Sequence, residues 1–451
     1  MSMPQGIPLS LRMILVGILL APGLAVAQSR PDVALPADSA RTIAPGIRYF
    51  HSYVPKPRLS VHWLTVDLKN PHVGVRVGKG LEHISGLERV HSILSRFDSA
   101  HAGTRAVAGT NANFWKAGTL HPMGPTVSDG RLLIADKYKN WSSMAITDKG
   151  EVFIDTFHLD VHVHTRLGEI PVTRLNRRVD STEIVLYTNF FGSSVPFVDT
   201  TGIREASRDT MTDETEAAID TMILALMDSV WSTSPESGTL KLQFRYQRLP
   251  QANTAVPCVV TALDTGFVSI PDDGGVISFG RGPFPLFSSL MIGDTFALES
   301  SVTPGLPFPI MQMTGGSPRI VRDGRISVEW MQEGLRKVRF VTGHYGRSAV
   351  GISRGGDTLI MMTVEPYNRK ARTRGASLET LAALMVARGA WHALNLDGGS
   401  SATMTLEGNT TVPRGGNRGS RKISTALMLF ERSVLAKEGS GTLERTTRSI
   451  E

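Results

Sequence analysis

The sequence holds one cysteine in 451 residues, Cys258, so no intrachain disulfide can brace the chain and its stability must come from packing. Cys258 lies in the apolar run Val256-Pro257-Cys258-Val259-Val260 with no activating pattern around it, and reads as a buried strand residue, not a nucleophile. Past residue 27 no apolar run is long enough to cross a bilayer as a helix. The net charge of +7 comes from basic residues scattered along the chain and not interleaved with aromatics in one tract, which argues against a nucleic-acid partner. A diffuse positive excess suits a protein that meets anionic surfaces or substrates.

What is present begins with a leader. Arg12 precedes an apolar run at 13–20, and small residues ending in Ala25-Val26-Ala27 follow, the order of a secretory signal. The expectation is removal of residues 1–27, a secreted or periplasmic location, and no stable membrane insertion after cleavage. Residues 28–57 read as a lead-in and 58–431 as the main domain, with an insertion or flap at 203–238. Residues 432–451 read as a polar, disordered tail.

Residues 61–68 alternate as a half-buried strand does, 87–97 have helical spacing, and the strand 104–109 runs into Thr110-Asn111-Ala112-Asn113-Phe114-Trp115. Residues 131–300 read as short strands between turn signals. Near the C-terminus come strands 348–352 and 358–364, then a helix at 378–388 capped by Ser377 and ended by Gly389, then a strand at 391–396. The expected fold class is therefore α+β (mixed α/β), with mixed β-sheets and a strand-helix-strand C-terminal unit. Its two outer strands, 358–364 and 391–396, are candidates for a parallel pair with a right-handed crossover.

Polar residues gather at the ends of those strands. Asn395-Leu396-Asp397-Gly398-Gly399-Ser400-Ser401-Ala402-Thr403-Met404 delivers an acid into a loop whose glycines let backbone N–H groups approach a ligand, although an ordinary Asp-Gly turn would look the same. Glu365 ends the strand 358–364 and is either a second carboxylate at the same sheet edge or a solvated loop residue. His344, Arg347, Arg414, Arg418 and Arg421 flank these loops, and an arginine fork suits phosphate oxygens.

Two further patterns are weaker. Gly351-Ile352-Ser353-Arg354-Gly355 has the spacing of a serine-hydrolase elbow, but a strand, not a helix, follows it. His158-Leu159-Asp160-Val161-His162-Val163-His164 puts polar groups at alternate positions, which could hold a metal but reads more simply as the wet face of a surface strand.

Four stretches together resemble the phosphodiester glycosidase family: 109–115 with Gly124-Pro125 and Asp129-Gly130-Arg131, then 315–324, 347–351 and 395–404, in the family's order. The chain departs from the family pattern at Glu365-Pro366-Tyr367, where an aspartate followed by glycine and arginine is usual, and at Ser400, where a third glycine is common. The resemblance implies a mixed α/β architecture and cleavage of a sugar from a phosphodiester. On that reading Asp397 is the catalytic carboxylate and Glu365 its helper. Arg347 and Arg421 sit on phosphate, and Asn111 and Asn113 on sugar hydroxyls. His344, Gly398, Gly399, Ser400 and Ser401 complete the substrate-binding set. The partner is a sugar-phosphate or glycan; no cofactor is expected, with a divalent metal and the oligomeric state left open. Two rivals are a non-catalytic glycan-binding envelope protein and a metal-dependent phosphodiesterase built around His162 or Asp397.

Overall fold

The computed structural model describes residues 38–200, 203, 213–280, 289–369, 372–411 and 419–432. The leader at 1–27, Arg414, Arg418, residues 204–212 of the expected insertion and the tail from 433 onward lie outside the described residues.

Among the described residues 28 strands stand against four α-helices. The expected α+β class is thereby overturned: the protein is mostly β. The expectation gave too much weight to the legible helix Leu378–Ala387, whereas the many short alternating segments elsewhere form strands. That helix is built as its sequence dictates. Ser377 Oγ accepts from the Thr380 N–H at 3.1 Å and Gly389 follows with φ +89°, a left-handed stop that glycine adopts without strain.

The C-terminal unit is corrected as well. Strands Thr358–Val364 and Ala390–Asn395 run in the same direction but do not pair; Arg347–Ser353 lies between them, antiparallel to both. The cause is the tight turn 354–357, with Gly356 at φ +70°, which folds Arg347–Ser353 and Thr358–Val364 into a hairpin and sends the helix back to the hairpin's other side. The eight-stranded sheet that holds them is antiparallel throughout. In chain terms its order is Ser39–Ala44, Ile47–Val54, Leu59–Asp67, Thr358–Val364, Arg347–Ser353, Ala390–Asn395, Arg319–Arg322 and Arg325–Ile326. Residues expected as a lead-in thus supply two of its strands.

Opposite this sheet lies a five-stranded one made of Val73–Lys79, Thr425–Arg432, Thr104–Asn111, Met404–Leu406 and Asn409–Thr410. Leu64, Val66, Val350, Leu359, Met361 and Leu394 from the first meet Val77, Val107, Met404 and Leu427 from the second in one buried core. Helix Leu378–Ala387 covers the first sheet's outer face, packing Leu378, Leu381, Leu384 and Met385 on Val61, Trp63, Ile360 and Met362. Each such buried side chain contributes roughly 1.5–3 kcal/mol.

A second eight-stranded sheet and another five-stranded sheet enclose a separate core that includes Leu159, Val161, Val163, Leu242, Phe244, Cys258 and Leu298. Burial pushes the Cys258 thiol up to about 12, so it stays protonated. In strand His158–Thr165 the residues Leu159, Val161 and Val163 point into that core, while His158, Asp160, His162 and His164 alternate outward, where His164 Nε2 meets Glu299 at 2.7 Å.

Candidate active site

The sheet edge that carries the site is set by register. Val364 pairs with Arg347, and Asn395 pairs with Ala349, so the chain leaves both outer strands at the same end, at Glu365 and at Asp397. Two strand spacings separate those backbones, roughly 10 Å. Gly346 stands between them. A Cβ added there would meet the Gly399 carbonyl at 2.6 Å, Pro366 Cβ at 3.0 Å and Ala402 Cβ at 3.1 Å, so the loops after Glu365 and Asp397 converge on a glycine that sequence reasoning passed over.

The signature loop is pinned by main-chain bonds: Leu396 N–H to the Ser348 carbonyl at 2.8 Å, Asp397 N–H to Ala112 at 2.9 Å and Gly399 N–H to Gly346 at 2.7 Å. Gly399 has φ +63°, and a Cβ on Gly398 would lie 2.7 Å from the Gly346 carbonyl, so the close approach depends on both glycines. The chain then turns through a short 3-10 helix, Gly399–Ser401.

Within this loop the half-buried Asp397 carboxylate accepts from its neighbour Gly398 N–H at 2.9 Å and from the Ser401 hydroxyl. Burial nevertheless raises its pKa to about 6, outweighing those two bonds and the nearby positive charge of Arg421. Such a group is mostly ionised near neutral pH yet can take a proton. Arg421 is exposed, donates from Nη1 to Ser400 Oγ at 2.7 Å, and lies 5.1 Å over the Trp115 ring, so a cation is held at the rim of the loop. His344 is exposed in the segment leading to Gly346.

Arg347 faces elsewhere. Strand alternation sends Ser348 toward the opposing sheet and Arg347, with Ala349, to the helix-covered face. There its guanidinium is 1% exposed, donating to the carbonyls of Ala376 at 3.0 Å, Phe340 at 2.6 Å and Gly343 at 3.1 Å. It also lies over the rings of Phe340 and Tyr345.

Asn111 and Asn113 are likewise buried and engaged. Asn111 Oδ1 accepts from Ser348 Oγ at 2.7 Å and from Thr403 N–H at 3.1 Å, while its Nδ2 donates to the Asp397 carbonyl at 2.5 Å. Asn113 Oδ1 accepts from Thr314 at 2.6 Å and Thr425 at 2.8 Å, and its Nδ2 donates to the Met123 carbonyl and to Thr126.

Glu365 is 5% exposed on the face between the sheets, two residues from Thr363. Its Oε1 accepts from Ser60 Oγ at 2.8 Å and lies 2.9 Å from His62 Nε2. Tyr49 OH reaches His62 Nδ1 at 2.7 Å, and His51 Nε2 reaches Ser60 Oγ at 3.0 Å. One oxygen or nitrogen each from His51, His62 and Glu365 lie within 4.8 Å of one another, so these three could hold a metal. None of Tyr49, His51, Ser60 or His62 was singled out from sequence. The available signal was the period of two, polar groups at 49 and 51 and again at 60 and 62 in neighbouring strands.

Residues 272–430 match the model of the phosphodiester glycosidase family. No curated protein matches the chain. Among solved structures the chain is similar to a hypothetical protein from Synechocystis, with a TM-score of 0.60 at 21% identity over 89% of this chain and 64% of that one. It is also similar to a Burkholderia pseudomallei protein described as exported, with a TM-score of 0.55 at 18% identity over 82% of this chain and 74% of that one. The catalytic domain of zebrafish N-acetylglucosamine-1-phosphodiester alpha-N-acetylglucosaminidase, auto-inhibited by its pro-peptide, aligns with a TM-score of 0.45 at 16% identity over 88% and 87% of the two chains. The first two likenesses are of fold.

Proposed function

We propose that this protein cleaves a sugar-1-phosphodiester, releasing the free sugar and a phosphomonoester; the match of residues 272–430 to the phosphodiester glycosidase family model supports a hydrolase of this kind. The order of charge, apolar core and small residues in 1–27 supports action outside the cytoplasm.

The observation that carries the proposal is the Asp397 carboxylate, poised by burial at about 6 in a glycine-shaped loop with Arg421 at its rim. Asp397 acts at the anomeric carbon, as nucleophile or as the base that activates water, and the bond from that carbon to the phosphate oxygen breaks. The leaving phosphomonoester is already a weak base, so it needs neutralisation more than protonation. Arg421 supplies that charge, with Ser400, Ser401 and His344 lining its approach. Glu365, one strand removed at the same sheet edge and held by Ser60 and His62, is the helper: it positions that edge and does not itself react with the sugar. Arg347, Asn111 and Asn113 are positioning residues. Their polar atoms are bound to the protein, and Asn111 holds the main chain of Asp397 itself.

Hydrolysis in oxygen-18 water tests the bond that breaks. Label in the sugar is the expected result; label in the phosphomonoester would mean cleavage at phosphorus and would overturn the glycosidase reading.

A further inference from the structure

Glu365 is a buried carboxylate whose ion-pair partner is an imidazole, and no arginine or lysine among the described residues pairs with it. A buried carboxylate is costly unless it is compensated, and the groups that meet this one are the imidazole of His62 and the hydroxyl of Ser60. Around this carboxylate two imidazoles stack with ring centroids 4.5 Å apart, His51 and His62, each with Nε2 turned toward the same small space. We propose that His51 Nε2, His62 Nε2 and a Glu365 carboxylate oxygen form a binding site for a divalent transition-metal ion of the Zn²⁺ class.

The geometry fits with a small adjustment. Metal–ligand bonds of about 2.0–2.2 Å in a tetrahedral site put ligand atoms roughly 3.3–3.6 Å apart. His62 Nε2 and Glu365 Oε1 are 2.9 Å apart, His51 Nε2 and Glu365 Oε1 both meet Ser60 Oγ, at 3.0 and 2.8 Å, and one ligand atom from each of the three residues lies within 4.8 Å of the others. A movement of about 1 Å by the half-buried His51 ring closes the set. Two imidazoles and one carboxylate select zinc or its neighbours over Mg²⁺ or Ca²⁺, which prefer all-oxygen shells. The outer contact is also in place. Tyr49 OH lies 2.7 Å from His62 Nδ1 and can accept the Nδ1–H that a ligand coordinated through Nε2 must carry. Three protein ligands leave a position open for water or a phosphate oxygen.

The site stands independently of the sugar–phosphate reading, and its test does not use hydrolysis. The full chain, stripped with EDTA and dialysed, is titrated with ZnCl₂ in a calorimeter. The expected result is one Zn²⁺ per chain. Affinity should fall roughly a hundredfold in His62→Ala and Glu365→Gln and roughly tenfold in Tyr49→Phe, the scale of a lost outer-shell contact. His51→Ala alters a half-buried strand position and should keep the fold while also losing a hundredfold, so a folding failure at His62 leaves the question answerable. A double variant at His162 and His164 should bind as wild type does. No binding by the wild type, unchanged binding in His51→Ala and Glu365→Gln, or loss confined to the His162 and His164 variant would each overturn the proposal. Oxygen-18 placement can fail or succeed whatever the calorimeter reads.

Discussion

Asp397 and Glu365 leave the same end of one antiparallel sheet, a strand apart, and are held by opposite means. The carboxylate of Asp397 is held by local chain, its neighbour Gly398 and the hydroxyl of Ser401 four residues on, while its main chain is pinned by Ala112 and Asn111. Glu365 is fixed by distant chain, Ser60 and His62, brought beside it by a strand some three hundred residues earlier. A local cage leaves the acid partly open with an arginine at its rim, whereas a long-range cage encloses the acid among imidazoles. The contrast separates a group placed to react from a group placed to hold. Substitutions on either side of it should therefore fail in different ways.

The largest effect is expected where a residue expected to bind ligand turns inward. Arg347→Ala removes the guanidinium that the carbonyls of Phe340 and Gly343 accept from, leaves Ala376 only its bond from Tyr345 N–H, empties a buried site, and should lower unfolding free energy by about 3 kcal/mol in urea denaturation. A loss under about 1 kcal/mol with a tenfold drop in phosphate-ligand affinity would return Arg347 to the ligand side of the comparison.

Asp397→Asn should cut turnover roughly a hundredfold or more, equivalent to about 2.7 kcal/mol, because the amide keeps the shape but cannot act as nucleophile or base. The same change should raise the melting temperature at pH 7. The carboxyl of Asp397 has its pKa raised by burial, so the folded state holds the proton that the unfolded state has released between its ordinary value and about 6. Stability linked to this group is full at low pH and is lost as pH rises through about 6; asparagine removes that loss. Equal melting shifts at pH 4 and pH 7 would show that the carboxylate is not the source. If the ionised form reacts, kcat/KM should fall tenfold per pH unit below about 6, and a flat profile from pH 5 to 7 would remove Asp397 from the chemistry.

The two carboxylates also divide what the sequence discloses. The loop Asn395 to Met404 stood out by its glycines and acid, whereas its pinning by Ala112, Ser348 and Gly346 was not legible. The Ser377 cap and the Gly389 stop were legible because their partners are local. The outward face of His158, Asp160, His162 and His164 was legible for the same reason, since a period of two needs no knowledge of the partner strand. Asn111 and Asn113 were expected on sugar hydroxyls because they stand at a strand end; their saturation by Ser348, Thr403, Thr314 and Thr425 depends on how the two sheets meet. The His51, His62 and Glu365 cluster was invisible for that reason as well. The fold class was misjudged because one well-capped helix outweighed many short strands whose pairings are long-range.

The smallest expected effect probes the rim. Arg421 is exposed, so its charge is screened by salt and a single contact there is worth about 1.4 kcal/mol, or tenfold. Arg421→Ala should raise KM for a phosphate-bearing substrate about tenfold at low salt and less at high salt, with the melting temperature unchanged at pH 4 and only slightly lower at pH 7. It should also move the acid limb of the rate profile upward in pH, because Arg421 is one of the groups that lower the Asp397 pKa against burial. Arg421→Lys keeps the charge but loses the fork and the stacking on Trp115, so it should restore the limb without restoring KM fully. If both variants leave the limb where it is while KM rises, Arg421 reads the ligand without tuning the acid, and the local cage of Asp397 is complete without it.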